Sequence, residues 1–235
     1  RLYENFCNSI CEDNSASDEE IDALFSSLAG EWYLVIFVSD MFVENYVGGA
    51  ELTSEAIIND SLLPIAKVHS SKVTTHMMKE AKHLFWVFGN FSQLTDDCIL
   101  YAIKNLDYSV LEYDYKYCIY RSPEKHILAK GECNCDTERQ GKLVSIFYKK
   151  SKVTWFMSQA QMDIYIDKFP FLKHNSKVLS SVLSRQKLNF IQSIDTSNKD
   201  DKWIILNSQS WVKGREEAIK LANEKGLKYE LVWNL

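Results

Sequence analysis

Short apolar runs that alternate with helical patterns constrain the fold of this chain more than any other feature of its sequence. The first run, Trp32–Ser39, is continuously apolar, as is typical of a strand buried on both faces of a sheet. Further strands are predicted at Ile65–Val73, His83–Gly89, Tyr108–Tyr117, Val153–Ser158 and Lys177–Val182. Helices are predicted at Ala50–Asn59, His76–Ala81, Thr95–Asn105, Arg139–Ser151, Gln159–Phe169 and Arg185–Ile194, and a long loop from Tyr117 through Gly131. The alternation predicts an α/β fold with a Rossmann-like parallel sheet and right-handed crossovers.

A polar stretch without periodicity, Asp195–Asp201, separates this region from a second, shorter one. There the pattern restarts with a strand at Lys202–Asn207, a helix at Lys213–Lys225 and a strand at Lys228–Trp233. One such unit cannot bury both of its faces, so we expect the beginning of a second, truncated Rossmann-like domain. The predicted organisation is an acidic helical lead-in (residues 1–30), an N-terminal Rossmann-like domain (31–195), a linker (196–201) and the start of a C-terminal domain (202–235).

The composition argues against several classes of protein. The 235 residues are 46% hydrophobic with a formal net charge of −5, and they lack the basic stripe that is typical of nucleic-acid-binding proteins. No apolar run reaches the roughly 18–20 residues of a membrane span, and the acidic first residues do not have the pattern of a signal peptide. Six cysteines in a chain of this length do not form a disulfide framework. We therefore expect a reducing, cytoplasmic compartment.

Two adjacent glycines, Gly48 and Gly49, follow the first predicted strand and open the first helix. Ligands of open parallel sheets bind beyond the carboxyl ends of the strands, and glycine permits positive φ and close approach of a ligand to the backbone. The free N–H groups of the first helical turn can hold a diphosphate. A bare tight turn would use the same two glycines, so the spacing alone leaves both interpretations open.

A second turn of this kind follows the strand at Lys202–Asn207, where Ser208 leads to Lys213 and Gly214 before the next helix. A lysine beside a helix N-terminus can contact a phosphate. The alternative is a solvated lysine beside a loop glycine, which the spacing alone favours.

Two aspartates are weak candidates for a catalytic role. Asp40 follows the first predicted strand, and Asp114 lies within the fourth, so either side chain could line a cleft at the carboxyl edge of the sheet. The alternative for Asp114 is an exposed strand residue.

Three cysteines spaced C-x14-C-x-C, Cys118, Cys133 and Cys135, lie in the predicted long loop together with His126. Zinc accepts a Cys3His ligand set, and a long loop would gain order from it. The usual paired C-x2-C signature is absent, however, and His126 has the sequence surroundings of a surface or turn residue. Structural zinc and free loop thiols therefore both remain possible.

Taken in order, these segments resemble a known family. GGAELTSEAI (Gly48–Ile57), WFMSQAQMDIYIDKFPF (Trp155–Phe171) and SWVKGREEAIKLA (Ser210–Ala222) are similar to GT-B fold glycosyltransferases, particularly the GT4-like (group 1) family, over roughly residues 32–235. The resemblance implies two facing Rossmann-like domains with a nucleotide sugar between them. It also implies donor contacts at the residues that match these motifs: Gly48, Gly49, Glu51, Ser208, Lys213 and Gly214.

The sequence departs from the family pattern in two places. Asn207-Ser208 stands where the family usually has an arginine, and Gly89-Asn90-Phe91 lacks the histidine that many members carry at a comparable strand end. The acidic donor-binding motif of the family would lie beyond Leu235.

The resemblance implies transfer of a sugar from a nucleotide-sugar donor to a glycan or another hydroxyl acceptor, without a required cofactor and without a catalytic metal. The alternative is a non-catalytic Rossmann-like module that binds a nucleotide or a protein partner. Another nucleotide enzyme of the same topology is disfavoured, because the first turn lacks G-x-G-x-x-G.

Overall fold

A computed structural model describes residues 35–195, 197 and 201–233 of the chain. Within that range, one parallel sheet has the strand order β2-β1-β3-β4-β5-β6. Its strands are β1 (Val35–Ser39), β2 (Ile65–His69), β3 (Phe85–Phe88), β4 (Asp107–Glu112), β5 (Thr154–Phe156) and β6 (Ser176–Val178). The predicted α/β fold with a Rossmann-like parallel sheet is confirmed.

Helices connect and cover these strands. They are α1 (Gly49–Asn59), α2 (Thr75–Glu80), α3 (Asp96–Asn105), α4 (Pro123–Lys130), α5 (Arg139–Lys150), α6 (Gln159–Lys168) and α7 (Arg185–Ser193). Several begin at a residue whose side chain accepts a backbone N–H of the first turn, as Thr95 does for α3 and Ser158 for α6. Such caps satisfy donors that the helix itself leaves unpaired.

Aromatic side chains fill the core between the sheet and helix α5. Phe88 of β3 is fully buried and meets Tyr108, Phe91 and Phe147 edge to face, with ring centroids 5.2–6.3 Å apart. Trp86 stacks on Phe88 from the same strand at 5.9 Å. Edge-to-face and offset rings add to the free energy of burial, so the middle of the sheet is its best-packed part.

A separate parallel pair of strands forms the second unit, residues 201–233. β7 (Trp203–Leu206) pairs with β8 (Tyr229–Val232), and helix α8 (Arg215–Glu224) lies between them in the chain. Within this unit only Ile205 and Ala222 are buried. The predicted strand–helix–strand pattern is confirmed. The unit leaves most of its apolar surface uncovered, as expected of two strands and one helix, which cannot bury both of their faces.

Several predicted boundaries were wrong. β2 ends at His69, where a 3-10 turn (Ser70–Lys72) begins, and β6 ends at Val178. β4 ends at Glu112, so Asp114 follows the strand and is not part of it. The predicted loop through Gly131 contains α4, because Ser122 caps its N-terminus, Pro123 occupies its first turn and Gly131 ends it with φ 87°.

Some predictions lie outside the described residues: the helical lead-in at 1–30, the start of the first strand at 32–34 and most of the linker at 196–201. In the part of the chain that is described, no helix combines the length and apolar character that crossing a membrane requires.

Candidate functional site

Four metal-binding side chains converge beside the carboxyl end of β4. Cys118 follows the strand, His126 lies on α4, and Cys133 and Cys135 follow that helix. Their ligand atoms all lie within 4.8 Å of one another. Cys118 Sγ is 3.7 Å from Cys133 Sγ, and His126 Nδ1 is 3.5 Å from Cys118 Sγ and 3.4 Å from Cys135 Sγ. The arrangement could hold a metal ion such as zinc.

The three shortest of these separations are close to those of tetrahedral coordination. Zinc binds thiolate sulfur at about 2.3 Å and imidazole nitrogen at about 2.0–2.1 Å, so tetrahedral angles place two sulfurs about 3.8 Å apart and sulfur and nitrogen about 3.5 Å apart. Hydrogen bonding between thiols does not require four groups to converge in this way. The donor set and its spacing therefore match a closed structural zinc site, in which all four ligands come from the protein.

Burial of the cluster disfavours ionisation of its thiols. Cys118, His126 and Cys135 are buried, and burial raises the pKa of Cys118 to about 12. A cation would have to displace the thiol protons, and a metal does so because it stabilises the thiolate. The Tyr117 hydroxyl is buried in the same region without a hydrogen-bond partner.

Helix α5 supports the cluster through a close backbone approach. A Cβ built on Gly141 would overlap the carbonyl oxygen of Cys135 and would lie 2.9 Å from the Cα of Asp136. Only glycine lets the segment that carries Cys135 lie against the helix at this distance.

The prediction that His126 is a surface or turn residue was wrong, since the imidazole is buried at 9% exposure. The reason is α4, which the sequence analysis missed. The helix turns the chain back so that His126 faces Cys118. The S-P dipeptide at Ser122-Pro123 and the glycine at Gly131 were available as helix start and stop signals.

The Gly48-Gly49 turn lies where it was predicted, at the start of α1, but for a different physical reason. Gly48 has φ −133°, which is extended backbone and does not require glycine. A Cβ there would instead lie 2.5 Å from Glu51 Oε2 and 2.8 Å from Tyr46 Cε1. Gly49 is exposed and has open space around the position of a Cβ, so a ligand can approach the helix N-terminus.

The second unit brings Lys213 towards this turn. Burial raises the pKa of Glu51, and the nearby Lys213 ammonium opposes that shift. Gly214 has φ 74°, a left-handed conformation that favours glycine, and it caps α8. Ser208 makes a local contact, because its hydroxyl accepts the backbone N–H of Ser210 at 3.2 Å. Of the predicted donor residues, the structure therefore brings Gly48, Glu51 and Lys213 into one region.

Asp40 lies at the carboxyl edge, as predicted, with its carboxylate occupied by hydrogen bonds. It accepts from Ser70 Oγ at 2.5 Å, from Ser92 Oγ at 2.6 Å and from the backbone N–H groups of Ser92 and Gln93. Burial opposes ionisation, but the bonds from Ser70 and Ser92 outweigh it and hold the pKa of Asp40 below its usual value. The contacts give Asp40 a structural role, and a catalytic role for it stays a prediction.

Asp114 belongs to a chain of charged groups that sequence reasoning missed. Lys116 Nζ lies 3.1 Å from buried Glu112 and 3.5 Å from Asp114, which also pairs with Arg121 at 2.7 Å. Glu112 accepts further bonds from the hydroxyls of Tyr148 and Tyr165. Burial raises the pKa of Glu112, and the Lys116 ammonium opposes that shift. The sequence signal that could have indicated this chain of charged groups was the presence of Glu112, Asp114 and Lys116 within an otherwise apolar and aromatic stretch.

A cavity of about 480 Å³ opens beside this charged chain. Lys116 and Arg121 supply polar groups to its wall, and Phe91, Leu94 and Ile99 supply apolar ones. Cys118 also lines it, so the cavity adjoins the metal-binding cluster.

Comparison with protein-family models and with curated proteins found no match to this chain.

Proposed function

We propose that the chain is the donor-cleft portion of a glycosyltransferase that moves a sugar from a nucleotide sugar to an acceptor hydroxyl. One observation carries the proposal: Lys213 of the second unit lies close enough to the N-terminus of α1 to affect the ionisation of Glu51. Electrostatics thus link two turns that are 164 positions apart in the chain, at Gly49 and Lys213. The resemblance of both turns to glycosyltransferase motifs supports the same assignment.

The groups at these two turns suit a diphosphate. The N-terminus of α1 carries the positive end of the helix dipole at exposed Gly49, beside the buried Glu51 carboxylate, and Lys213 adds a positive charge. In glycosyl transfer, the bond from the anomeric carbon to the diphosphate oxygen breaks, the acceptor oxygen forms the new bond to that carbon, and the acceptor's proton passes to the leaving diphosphate or to solvent. Stabilising the charge on the leaving diphosphate and positioning the two reactants would supply most of the catalysis.

Donor binding can be measured by calorimetry and thermal shift with UDP, GDP and ADP sugars. We expect one nucleotide class to bind, and Lys213→Ala to weaken it about 10- to 100-fold, the effect of one charged phosphate contact. Lys225→Ala, at the exposed end of the second unit's helix, is the matched control and should bind normally. Equal affinity in Lys213→Ala and wild type would remove Lys213 from the site. Binding without release of nucleoside diphosphate in the presence of acceptors would favour the non-catalytic module.

We also propose that Cys118, His126, Cys133 and Cys135 hold a structural zinc ion. The single observation that carries this proposal is the convergence of all four ligand atoms within 4.8 Å, with three of their separations, 3.4–3.7 Å, near those of a tetrahedral ligand set. All four ligands come from the protein, which is the pattern of structural sites; catalytic zinc keeps an open position.

Metal analysis by mass spectrometry tests the zinc proposal directly. We expect one zinc per purified chain, and loss of that zinc in Cys118→Ser and Cys133→Ser. Cys98→Ser is the control, because Cys98 is also a buried free cysteine but bonds to the Val73 carbonyl, away from the cluster. A wild-type chain with all three thiols and the imidazole intact that takes up no zinc under reducing conditions would refute the site.

A further inference from the structure

We propose that the metal-bound segment Cys118–Cys135 is the dock that holds the second unit against the first sheet and so sets the position of Lys213. The inference rests on the zinc and donor-cleft proposals above and adds a link between them. It predicts that the metal acts at a distance on a residue that does not bind it.

Two aromatic contacts lead from a metal ligand to the second unit. The imidazole of His126 lies against Tyr120 with ring centroids 4.7 Å apart. Tyr120 meets Trp211 edge to face at 5.7 Å. Trp211 opens the 3-10 turn that ends at Lys213. The chain of contacts therefore ends two residues from the proposed phosphate contact.

Charge contacts from α4 reinforce this path. Lys125, the neighbour of His126, pairs with Glu217 in the first turn of α8. The same ammonium lies 5.3 Å from the centroid of the Trp211 ring, a cation–π distance. The side chain of Lys125 is only 16% exposed, so the contact with the second unit covers it.

Helix α4, at the centre of the dock, is little buried. Helix α4 has eight residues, and in it only Pro123 and His126 are buried. Its apolar side chains Ile127 and Leu128 are 49% and 72% exposed. A helix this short is marginal without tertiary support, so a metal that ties His126 to three cysteines would supply most of that support.

The second unit also depends on outside contacts. Its buried residues among 201–233 are Ile205 and Ala222 alone, while Trp203 and Ile204 of β7 are 60% and 72% exposed. A pair of strands with one helix has little cohesion of its own. Contacts with the metal-bound segment are therefore a large part of what can hold the Trp211–Glu217 region in place.

Hydrogen exchange read by mass spectrometry tests the dock with the full chain. Zinc-loaded protein is compared with protein freed of metal by a chelator under reducing conditions. We expect exchange to rise at least tenfold in peptides from α4 and also in peptides covering 208–217, while β1 and β3 stay protected. Faster exchange in α4 with unchanged exchange at 208–217 would overturn the proposal.

Charge reversal separates docking from metal binding. Lys125→Glu and Glu217→Lys should each keep the zinc but speed exchange at 208–217 roughly two- to fivefold, the range for a partly exposed ion pair. The double variant should recover at least half of the lost protection, since it restores opposite charges. Lys130→Glu, at an exposed position of the same helix, should have no effect at 208–217. Single variants that behave like Lys130→Glu would refute the contact.

The donor proposal can fail separately from the dock. If hydrogen exchange at 208–217 responds to metal removal and to charge reversal as expected while wild type binds no nucleotide sugar, that result would support the dock and refute the donor site. If wild type binds a nucleotide sugar equally well with and without metal, the coupling falls and the donor site stands.

Discussion

At the residue scale, Asp40 joins three loops at the carboxyl edge of the sheet. It follows β1 and accepts hydrogen bonds from the turn after β2 and from the segment after β3. A buried carboxylate with this many donors fixes the positions of the loops around it. A ligand that binds at this edge of the sheet would contact those loops.

Asp40→Asn tests this role through its pH dependence. We expect the variant to lose about 2–3 kcal/mol of unfolding free energy at pH 7, the range for hydrogen bonds to a charged group. Because the folded pKa of Asp40 lies below the unfolded one, this stabilisation is present above the unfolded pKa and is lost as the pH falls through the folded pKa. The difference between variant and wild type should therefore shrink from about pH 5 to about pH 2 in urea titrations. Asp167→Asn, at an exposed position of α6, is the control; a difference that does not change with pH would contradict the assignment.

The pair of Glu112 and Lys116 is the second residue-scale feature, with both side chains at most 5% exposed. Lys116→Met should cost about 3–5 kcal/mol at pH 7, because buried Glu112 must then either stay ionised without its cation or take up a proton when the chain folds. Stability of the variant should recover as the pH falls, since protonation removes that charge. Glu112→Gln combined with Lys116→Met should recover most of the loss at pH 7. A double variant as unstable as the single one, in urea unfolding, would show that the ion pair is not the cause.

At the scale of elements, α4 and α5 together build the metal-binding cluster. Helix α4 turns the chain back towards β4. Helix α5 packs against the backbone of Cys135 at Gly141, which has no side chain to obstruct the contact. The ligand geometry thus depends on the packing of two helices as well as on the ligands. Outer contacts of this kind orient metal ligands in many sites.

Gly141→Ala separates helix propensity from packing. Alanine is the better helix former by about 1 kcal/mol, yet its Cβ would overlap the Cys135 carbonyl. We expect the variant to bind zinc at least roughly 10-fold more weakly in a competition titration, and to be less stable than wild type. Lys142→Ala, at the adjacent exposed position, changes propensity without the overlap and should bind normally. Unchanged zinc affinity in Gly141→Ala would show that the segment moves freely.

At the scale of the whole molecule, we expect the unit built on the six-stranded sheet to be more stable than the second unit. The sheet has a continuous aromatic core around Phe88, whereas the second unit exposes most of its apolar side chains. Cooperative unfolding should therefore be governed by the first unit. Local opening at 208–217 should precede it.

Two matched phenylalanine substitutions test this division. Phe88 is fully buried and Phe190 of α7 is 67% exposed. Phe88→Ala should cost about 3–5 kcal/mol of global unfolding free energy, because it removes ring contacts and leaves a cavity. Phe190→Ala should change it by no more than about 0.5 kcal/mol. Chemical denaturation of both variants decides the matter, and equal losses would mean that α7 is part of the same core.

The sequence by itself determined the class of the sheet and the described elements other than α4 and the short 3-10 turns. Strands and helices differ in the period of their apolar residues, and that period is local, so β1, β3 and α1 were predicted within a few positions. Thr95 and Ser158 cap two helices whose starts were predicted within one position, and capping also acts over a few residues. The ends of β2 and β4 were misplaced, since aromatic and polar residues continue past the last paired position.

Only the tertiary structure decided which side chains meet. Cys118 and Cys133 are 15 positions apart, and α4 between them brings their sulfurs to 3.7 Å. Asp40 meets Ser92, and Lys125 meets Glu217, across 52 and 92 positions. Such contacts depend on the direction in which the chain leaves each strand and on the helix that packs there, neither of which a local pattern encodes. The same holds for Gly48, where the backbone is extended and the nearest neighbours are the side chains of Glu51 and Tyr46, so positive φ does not explain the glycine.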